Sequence, residues 1–526
     1  MGRDAGLNGR GRTSMKTWKT TAAALLALTG WGWPQGRELR LSLDDCVQKA
    51  LRNNLSLAAE VLTPRIDEQA VGLASQIFLP QLSLSLGRTN RNSASFSWIN
   101  AADKVTTLSG DYGLRLAQLL PTGGQVEANL YSYKTDSTES FLTINPRYGS
   151  TLTFELSQPL LRGFGPTATR RQILVAQNNR DISQAVFRGT LMDTVTQVEG
   201  AYWNLVYSIE NLRARRESLK YAQDLLHKNQ KELEAGLIPP LDILNAKAEV
   251  AGREADIIQA EAGVRNGEDL IRTLLNLPRT EGEPPPVLVP TDSPRLEEKV
   301  LTLEEAWRLA LDNRPELEAG RVRIKTSDVN VSVARNGLLP SLSFNASYWS
   351  PGVSGTRILY QDDNPLTRVI VGRVPGGASS ALKDALNLRY RNWSVSLTLD
   401  VPLDTVLSRA SYARAKLEAE QASLRLKDLE QRALLDVQTA LRAVETDRRR
   451  AAAYRAARTF EEEKLRAEEK KLAAGLSTSY TVLQHQRDLA AARSNELRAV
   501  ADYNLSLARL DRALGRTLAT KNILVE

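Results

Sequence analysis

The apolar positions of this chain follow two periods. Leu191, Val195, Val198, Tyr202, Leu205, Ile209 and Leu212 recur at alternating steps of four and three. That is the seam of a left-handed coiled coil, and it predicts a long helix. Leu426, Leu429, Ala433, Val437, Ala440 and Val444 repeat the seam with looser spacing. No proline interrupts 167–235. At about 1.5 Å per residue, a helix over that stretch is on the order of 100 Å long. Elsewhere the alternation is residue by residue. Trp393, Val395, Leu397, Leu399 and Val401 share one face of a strand, and Asn392, Ser394, Ser396, Thr398 and Asp400 share the other. Leu152, Phe154 and Leu156 alternate with Thr151, Thr153, Glu155 and Ser157 in the same way. A strand of an outer-membrane barrel, apolar toward lipid and polar toward water, has this period. So does a half-buried sheet in a soluble protein.

Both patterns occur twice because the chain is duplicated. Leu41-Ser42-Leu43-Asp44-Asp45-Cys46 matches Leu301-Thr302-Leu303-Glu304-Glu305-Ala306, and the register holds to Leu79-Pro80 against Leu339-Pro340. Pro159-Leu160 then answers Pro402-Leu403, and Ala235-Gly236-Leu237 answers Ala474-Gly475-Leu476. Each copy reads short helices, Leu-Pro, strands, Pro-Leu, very long helix, glycine turn and return helix. The first repeat is expected over 37–278, with barrel strands at about 82–161, a long helix at about 167–235 and a return helix over 240–277. A Pro-rich linker over 279–300 separates it from the second repeat, 301–526. There the strands are expected at about 341–350 and 391–402, the long helix at about 404–473 and the return helix over 479–515. The fold class is therefore mostly α with a β-barrel portion.

The first copy is longer between its strands. Tyr112–Leu120 and Gln125–Tyr133 flank Pro121-Thr122-Gly123-Gly124, a tight-turn signature. Four strands are expected in the first copy and two in the second, about six per protomer, with four as the alternative. The segment Pro351 to Tyr390 is Gly- and Pro-rich and is expected to be a long external loop. The two strand regions hold 14 of the 30 aromatic residues, among them Phe96, Trp98, Tyr131, Tyr133, Trp349 and Trp393. Aromatic enrichment near strand ends fits interfacial girdles.

Composition narrows the class. After residue 36 no apolar run reaches the roughly 20 residues of a membrane-spanning helix, so any crossing of a bilayer must use strands in a closed barrel. Residues 1–36 carry Lys16 and Lys19 ahead of a short apolar stretch, Ala22 to Leu28, followed by small residues. That order is expected of a signal peptide with an N-terminal extension, with Met1 and Met15 both open as the start. Those residues account for half of the formal charge of +8. The remaining charges alternate in sign along the helices, which argues for a solvated surface and against a nucleic-acid patch. The single cysteine, Cys46, cannot form an intrachain disulfide and reads as a small buried apolar residue.

Little in the chain suggests chemistry. His227 and His485 are the two histidines, one in each copy. With one cysteine they supply neither a zinc set nor a nucleophile–base pair. Runs such as Glu461-Glu462-Glu463 read as helix surface. No catalytic, cofactor or metal site is expected, and no enzymatic activity.

The doubled Leu-[Ser/Thr]-Leu-[Asp/Glu]-[Asp/Glu] helix, each copy followed by Leu-Pro, strands and a helical hairpin with a Gly-Leu tip, resembles the TolC-type outer-membrane efflux protein family over roughly 41–520. The resemblance implies a homotrimer in the outer membrane of a Gram-negative-type cell. Its pooled strands would form one barrel in the lipid and its pooled helices one periplasmic tunnel. It implies passive export, a periplasmic adaptor (membrane fusion) protein and an inner-membrane pump, in an efflux or type I secretion system. The tips Gly236, Leu237, Gly475, Leu476 and Ser477 would then meet the adaptor. The family's entrance acids fall on Thr481 and Gln484, with Asp242 and Asn245 as their first-copy equivalents. Its closing latch falls on Leu472 and Ser477. The acidic ring and the latch are thus not reproduced, which implies a less cation-selective entrance. The alternative is a non-conducting coiled-coil tether or adhesin anchored in the outer membrane.

Overall fold

The computed structural model describes residues 38–95, 104–236, 239–278, 285–294, 296 and 301–524. The expected signal peptide and the two ends of the linker lie outside them. The chain begins with β1 (Glu38–Leu41), α1 (Leu43–Asn53), α2 (Leu55–Glu60) and α3 (Leu62–Ser75). Four long strands follow, β2 (Gln81–Ala94), β3 (Lys104–Leu119), β4 (Gln125–Ser137) and β5 (Ile144–Pro159). A short α4 (Pro166–Thr169) leads into the long α5 (Arg171–Glu234) and its return helix α6 (Pro240–Leu275). After β6 (Val287–Pro290) the second copy supplies α7 (Leu303–Asn313), α8 (Pro315–Asn336), β7 (Ser341–Tyr360), β8 (Ile370–Val374), α9 (Ala378–Leu386) and β9 (Asn392–Asp400). It closes with α10 (Val406–Ala473), α11 (Ser479–Ala513) and α12 (Thr517–Thr520).

The repeated Leu-[Ser/Thr]-Leu-[Asp/Glu]-[Asp/Glu] motif has a structural cause. Ser42 accepts from the Asp45 N–H while Asp45 accepts from the Ser42 N–H, and Thr302 and Glu305 make the same reciprocal pair. Each motif is a capping box that starts the copy's first helix. The cores match as well. Cys46, Ala50, Val198, Ala201, Leu205, Ile271 and Leu275 pack in one cluster, and Ala306, Ala310, Val437, Ala440, Val444, Leu510 and Leu514 pack in its counterpart. These are the same positions of the two copies. Beside the first cluster, β1 and β6 pair in parallel, and the Tyr202 hydroxyl donates to the Asp292 carboxylate at 2.9 Å.

The remaining seven strands form one sheet in the order β2-β3-β4-β5-β7-β8, with β9 also on β7. The two copies contribute four and three strands. The third strand of the second copy is β8, which with α9 lies in the segment expected to be a loop. The strand expected to stop at residue 350 continues to Tyr360. Between Trp349, where β9 pairing ends, and Arg357, where β8 pairing begins, one edge of β7 has no strand partner among the described residues. Pro351 and Gly352 sit in that gap, where a missing N–H is tolerated. α9 packs there instead, so closely that a Cβ on Gly352 would lie 2.0 Å from the Ala381 carbonyl oxygen.

Register aligns the apolar faces across the whole sheet. Leu82, Leu116, Ala128, Phe154, Tyr348 and Trp393 are consecutive partners from one edge to the other. One residue along, Ser83, Arg115, Asn129, Thr153, Trp349 and Asn392 form the next row on the opposite face. This corrects the reading of the aromatics. Tyr131, Tyr133 and Trp349 share the polar face, where the Tyr131 hydroxyl donates to Asp111 at 2.5 Å. Trp393 is on the apolar face, and Phe96 and Trp98 lie outside the described residues. Among the described residues no helix is long and apolar enough to cross a membrane.

Candidate functional site: the hairpin tips

The two helical hairpins, α5–α6 and α10–α11, turn at equivalent glycines. Gly236 has φ +72° and Gly475 has φ +74°, in the left-handed region that glycine enters without a Cβ clash. At the second tip the Gly475 N–H donates to the Leu472 carbonyl at 3.0 Å and the Leu476 N–H to the Lys471 carbonyl at 2.8 Å. This is a Schellman motif, which satisfies the last carbonyls of α10. Thr478, flanked by Ser477 and Ser479, caps α11 by accepting from the Thr481 N–H at 3.3 Å. The first return helix starts on Pro240, whose absent N–H leaves nothing unsatisfied at that position.

The two serines have other partners. The Ser477 hydroxyl donates to Glu468 at 2.5 Å, and Lys471 donates to the other oxygen of that carboxylate at 3.0 Å. The Ser477 bond first, then Lys471, holds the Glu468 carboxyl below its ordinary 4.5. The Ser479 hydroxyl donates to Asn229 at 2.8 Å, both residues being buried. That bond ties the start of α11 to α5 of the other hairpin. At the two positions where the resemblance would put a latch, Leu472 packs against the cluster of Ala222, Leu225, Ala246, Val482 and Leu483, and Ser477 binds Glu468. Gly475 and Leu476 are exposed, and Leu237 lies outside the described residues.

The proposed entrance residues sit one turn into the return helices. Asp242 and Asn245 are half-buried on α6; on α11, Thr481 is half-buried and Gln484 exposed. The Thr481 hydroxyl shares a hydrogen bond of 2.9 Å with Thr478, so part of its polarity is used within the cap.

Sequence reasoning missed the strongest tie above the tips. Arg253 is buried, and donates to the Ser218 carbonyl of α5 at 2.6 Å, the Leu483 carbonyl of α11 at 3.3 Å and the Glu249 carboxylate at 3.1 Å. Burial pulls its guanidinium below the ordinary value. The signal was present, because Ile243, Ala246, Val250 and Arg253 step by three and four along one seam of α6. A charge on such a seam calls for partners on the facing helices. Asn229 is the same kind of exception on the seam of Ser218, Ala222 and Leu225.

Comparison with known proteins agrees with this architecture. A family model described as outer membrane efflux protein matches residues 46–277 and 306–516, one block in each repeat. The chain is similar to the outer membrane efflux protein BepC of Brucella suis biovar 1, at 23% identity over 417 residues, 78% of this chain and 77% of that protein. It is similar to the outer membrane protein TolC of Vibrio cholerae serotype O1, at 23% identity over 345 residues, 64% of this chain and 71% of that protein. Among solved structures, CusC superposes with a TM-score of 0.64 at 16% identity, covering 90% of this chain and 92% of the other, a likeness of fold.

Proposed function

The chain belongs to the outer membrane efflux protein family, and on that premise we propose that three copies close one barrel and one tunnel through which substrate leaves the cell passively. The family supplies the outer-membrane channels of tripartite efflux systems, so the protein is an outer-membrane channel with a periplasmic helical part. In our reading an inner-membrane pump provides the energy. A periplasmic adaptor docks on the tips, at Gly236, Leu237, Gly475, Leu476 and Ser477. Asp242, Asn245, Thr481 and Gln484 line the entrance, and since Asp242 alone of these ionises, cation selectivity is weak. Type I secretion uses the same arrangement with a different cargo.

One observation carries the trimer. The apolar row across the sheet ends on Leu82 and Trp393, which are 69% and 72% exposed on two open edges, β2 and β9. Unpaired strand edges cannot remain in hydrocarbon, and six long strands are too few to enclose a wide pore. Pairing β2 of one copy with β9 of the next closes both of these edges. Leu62, Ile66 and Leu73 on α3 and Leu417 and Leu424 on α10 are also exposed, giving the helical part apolar surface for the same neighbours. The test is the mass of the full-length chain purified in mild detergent, with cysteines scanned along β2 and β9. Three chains per particle and disulfides between chains are expected. A monomer, or a trimer with no β2–β9 crosslink at any register, overturns the reading.

A further inference from the structure

Among the described residues the second hairpin carries a cluster that the first does not. Glu461 on α10 and His485 and Asp488 on α11 place one ligand-type atom each within 4.8 Å of one another. His485 and Asp488 are three apart, so they share a helix face, and Glu461 meets them from the antiparallel partner. Two of the polar atoms are buried with no hydrogen-bond partner among the described residues, His485 Nδ1 and Glu461 Oε2. The other oxygen of Glu461 accepts from Lys464 at 2.8 Å. Buried polar atoms are almost always satisfied, so two in one cluster of ligand-type side chains point to a missing partner that accepts electron pairs from both.

The duplication supplies a control within the chain. In the tip register, Glu461 corresponds to Ala222 and His485 to Ala246. Both alanines are fully buried in one apolar cluster. The layer that packs alanines in the first hairpin holds a carboxylate and an imidazole in the second. Both replacements are half-buried, and each contributes one of the two polar atoms left without a partner among the described residues.

We propose that Glu461, His485 and Asp488 bind a divalent first-row transition ion, with Zn²⁺ as the type case, stapling α10 to α11 above the tip. An imidazole with two carboxylates suits such an ion, whereas Mg²⁺ and Ca²⁺ take oxygen ligands. Three protein ligands leave one tetrahedral position for water. His485 lies ten residues past Gly475, which places the staple on the order of 15 Å from the turn. The site stands independently of the trimer and of transport.

The test uses the full-length, tag-free chain in detergent, stripped with chelator and titrated with Zn²⁺ by calorimetry and with Co²⁺ by visible absorption. Background binding is low, because the other histidine is His227 and Cys46 is buried. One ion per chain is expected, with the intense visible bands of tetrahedral Co²⁺. His485→Ala and Glu461→Ala restore the alanines of the first hairpin and are expected to fold. Each is expected to weaken binding at least about tenfold, the loss typical even of an outer-shell partner. His227→Ala is expected to bind as the native chain does. No saturable binding at one ion per chain, or unchanged binding in His485→Ala, overturns the proposal.

Discussion

The Ser479 hydroxyl donates to Asn229 Oδ1 at 2.8 Å, joining the first turn of α11 to the last turns of α5 where both residues are buried. The Asn229 amide nitrogen has no partner among the described residues, so the hydroxyl is what satisfies that side chain. Ser479→Ala leaves a buried amide unpaired, at a cost of about 1–3 kcal/mol. If that cost falls on local opening, amide exchange in 225–232 and 479–486 speeds up by about 5- to 150-fold. Unchanged exchange would show that the two hairpins do not depend on this bond.

Gly236 and Gly475 separate a conformational role from a docking role. Among the described residues nothing lies within 4 Å of a Cβ added at either position, so the penalty for alanine is backbone strain. Each substitution is expected to destabilise its hairpin by about 1–2 kcal/mol, measured by thermal melting. Tryptophan at both positions is expected to preserve the trimer and abolish crosslinking to the adaptor. If crosslinking and export both survive, the tips are only turns.

Cys46 is expected to resist thiol reagents while the chain is folded. Burial is the main cause that pushes its thiol up to about 12, with the Asp45 charge adding to it. Thiolate is the reactive form, so almost none is present at neutral pH. Maleimide labelling at pH 7 is expected to fail on the folded protein and reach one thiol per chain in denaturant. Rapid labelling of the native protein would contradict the packing of α1 against α5.

The second tip is expected to loosen in acid. The folded-state value of Glu468 is depressed, so its contribution is complete above the ordinary 4.5 and is lost as pH falls through the lower folded value. Ser477→Ala removes the main cause and moves the loss up toward 4.5. Proteolysis of the 471–479 segment as a function of pH reads this directly. A profile that does not move in Ser477→Ala would place the acid sensitivity elsewhere.

What was legible in the chain was what repeats locally. The capping boxes, the seams around Val198 and Val437 and the alternation in β5 and β9 are short-range patterns, and each led to the element that carries it. The hidden features depend on contacts distant in sequence. β1 and β6 are four residues each and pair across the first repeat, so neither shows a period of its own. The sequence gives no sign that β7 runs on past Pro351, because the gap in its pairing, and α9 filling it, are tertiary facts. Residue type alone suggests a girdle for Tyr131 and Tyr133, whereas strand parity puts them on the polar face. The proposed entrance and tip residues come from the family resemblance, whereas Arg253, Asn229 and Glu468 show themselves only in the packing. Glu461 disappeared into an acidic run, and only the antiparallel return of α11 sets His485 beside it.

The most direct test of the channel is conductance of the purified full-length trimer in planar bilayers. We predict stable single-channel steps with weak cation selectivity, little altered by Asp242→Ala. A heat-resistant trimer that never conducts would contradict the channel and favour a tether. Strong cation selectivity abolished by Asp242→Ala would leave the channel intact and overturn the account of its entrance.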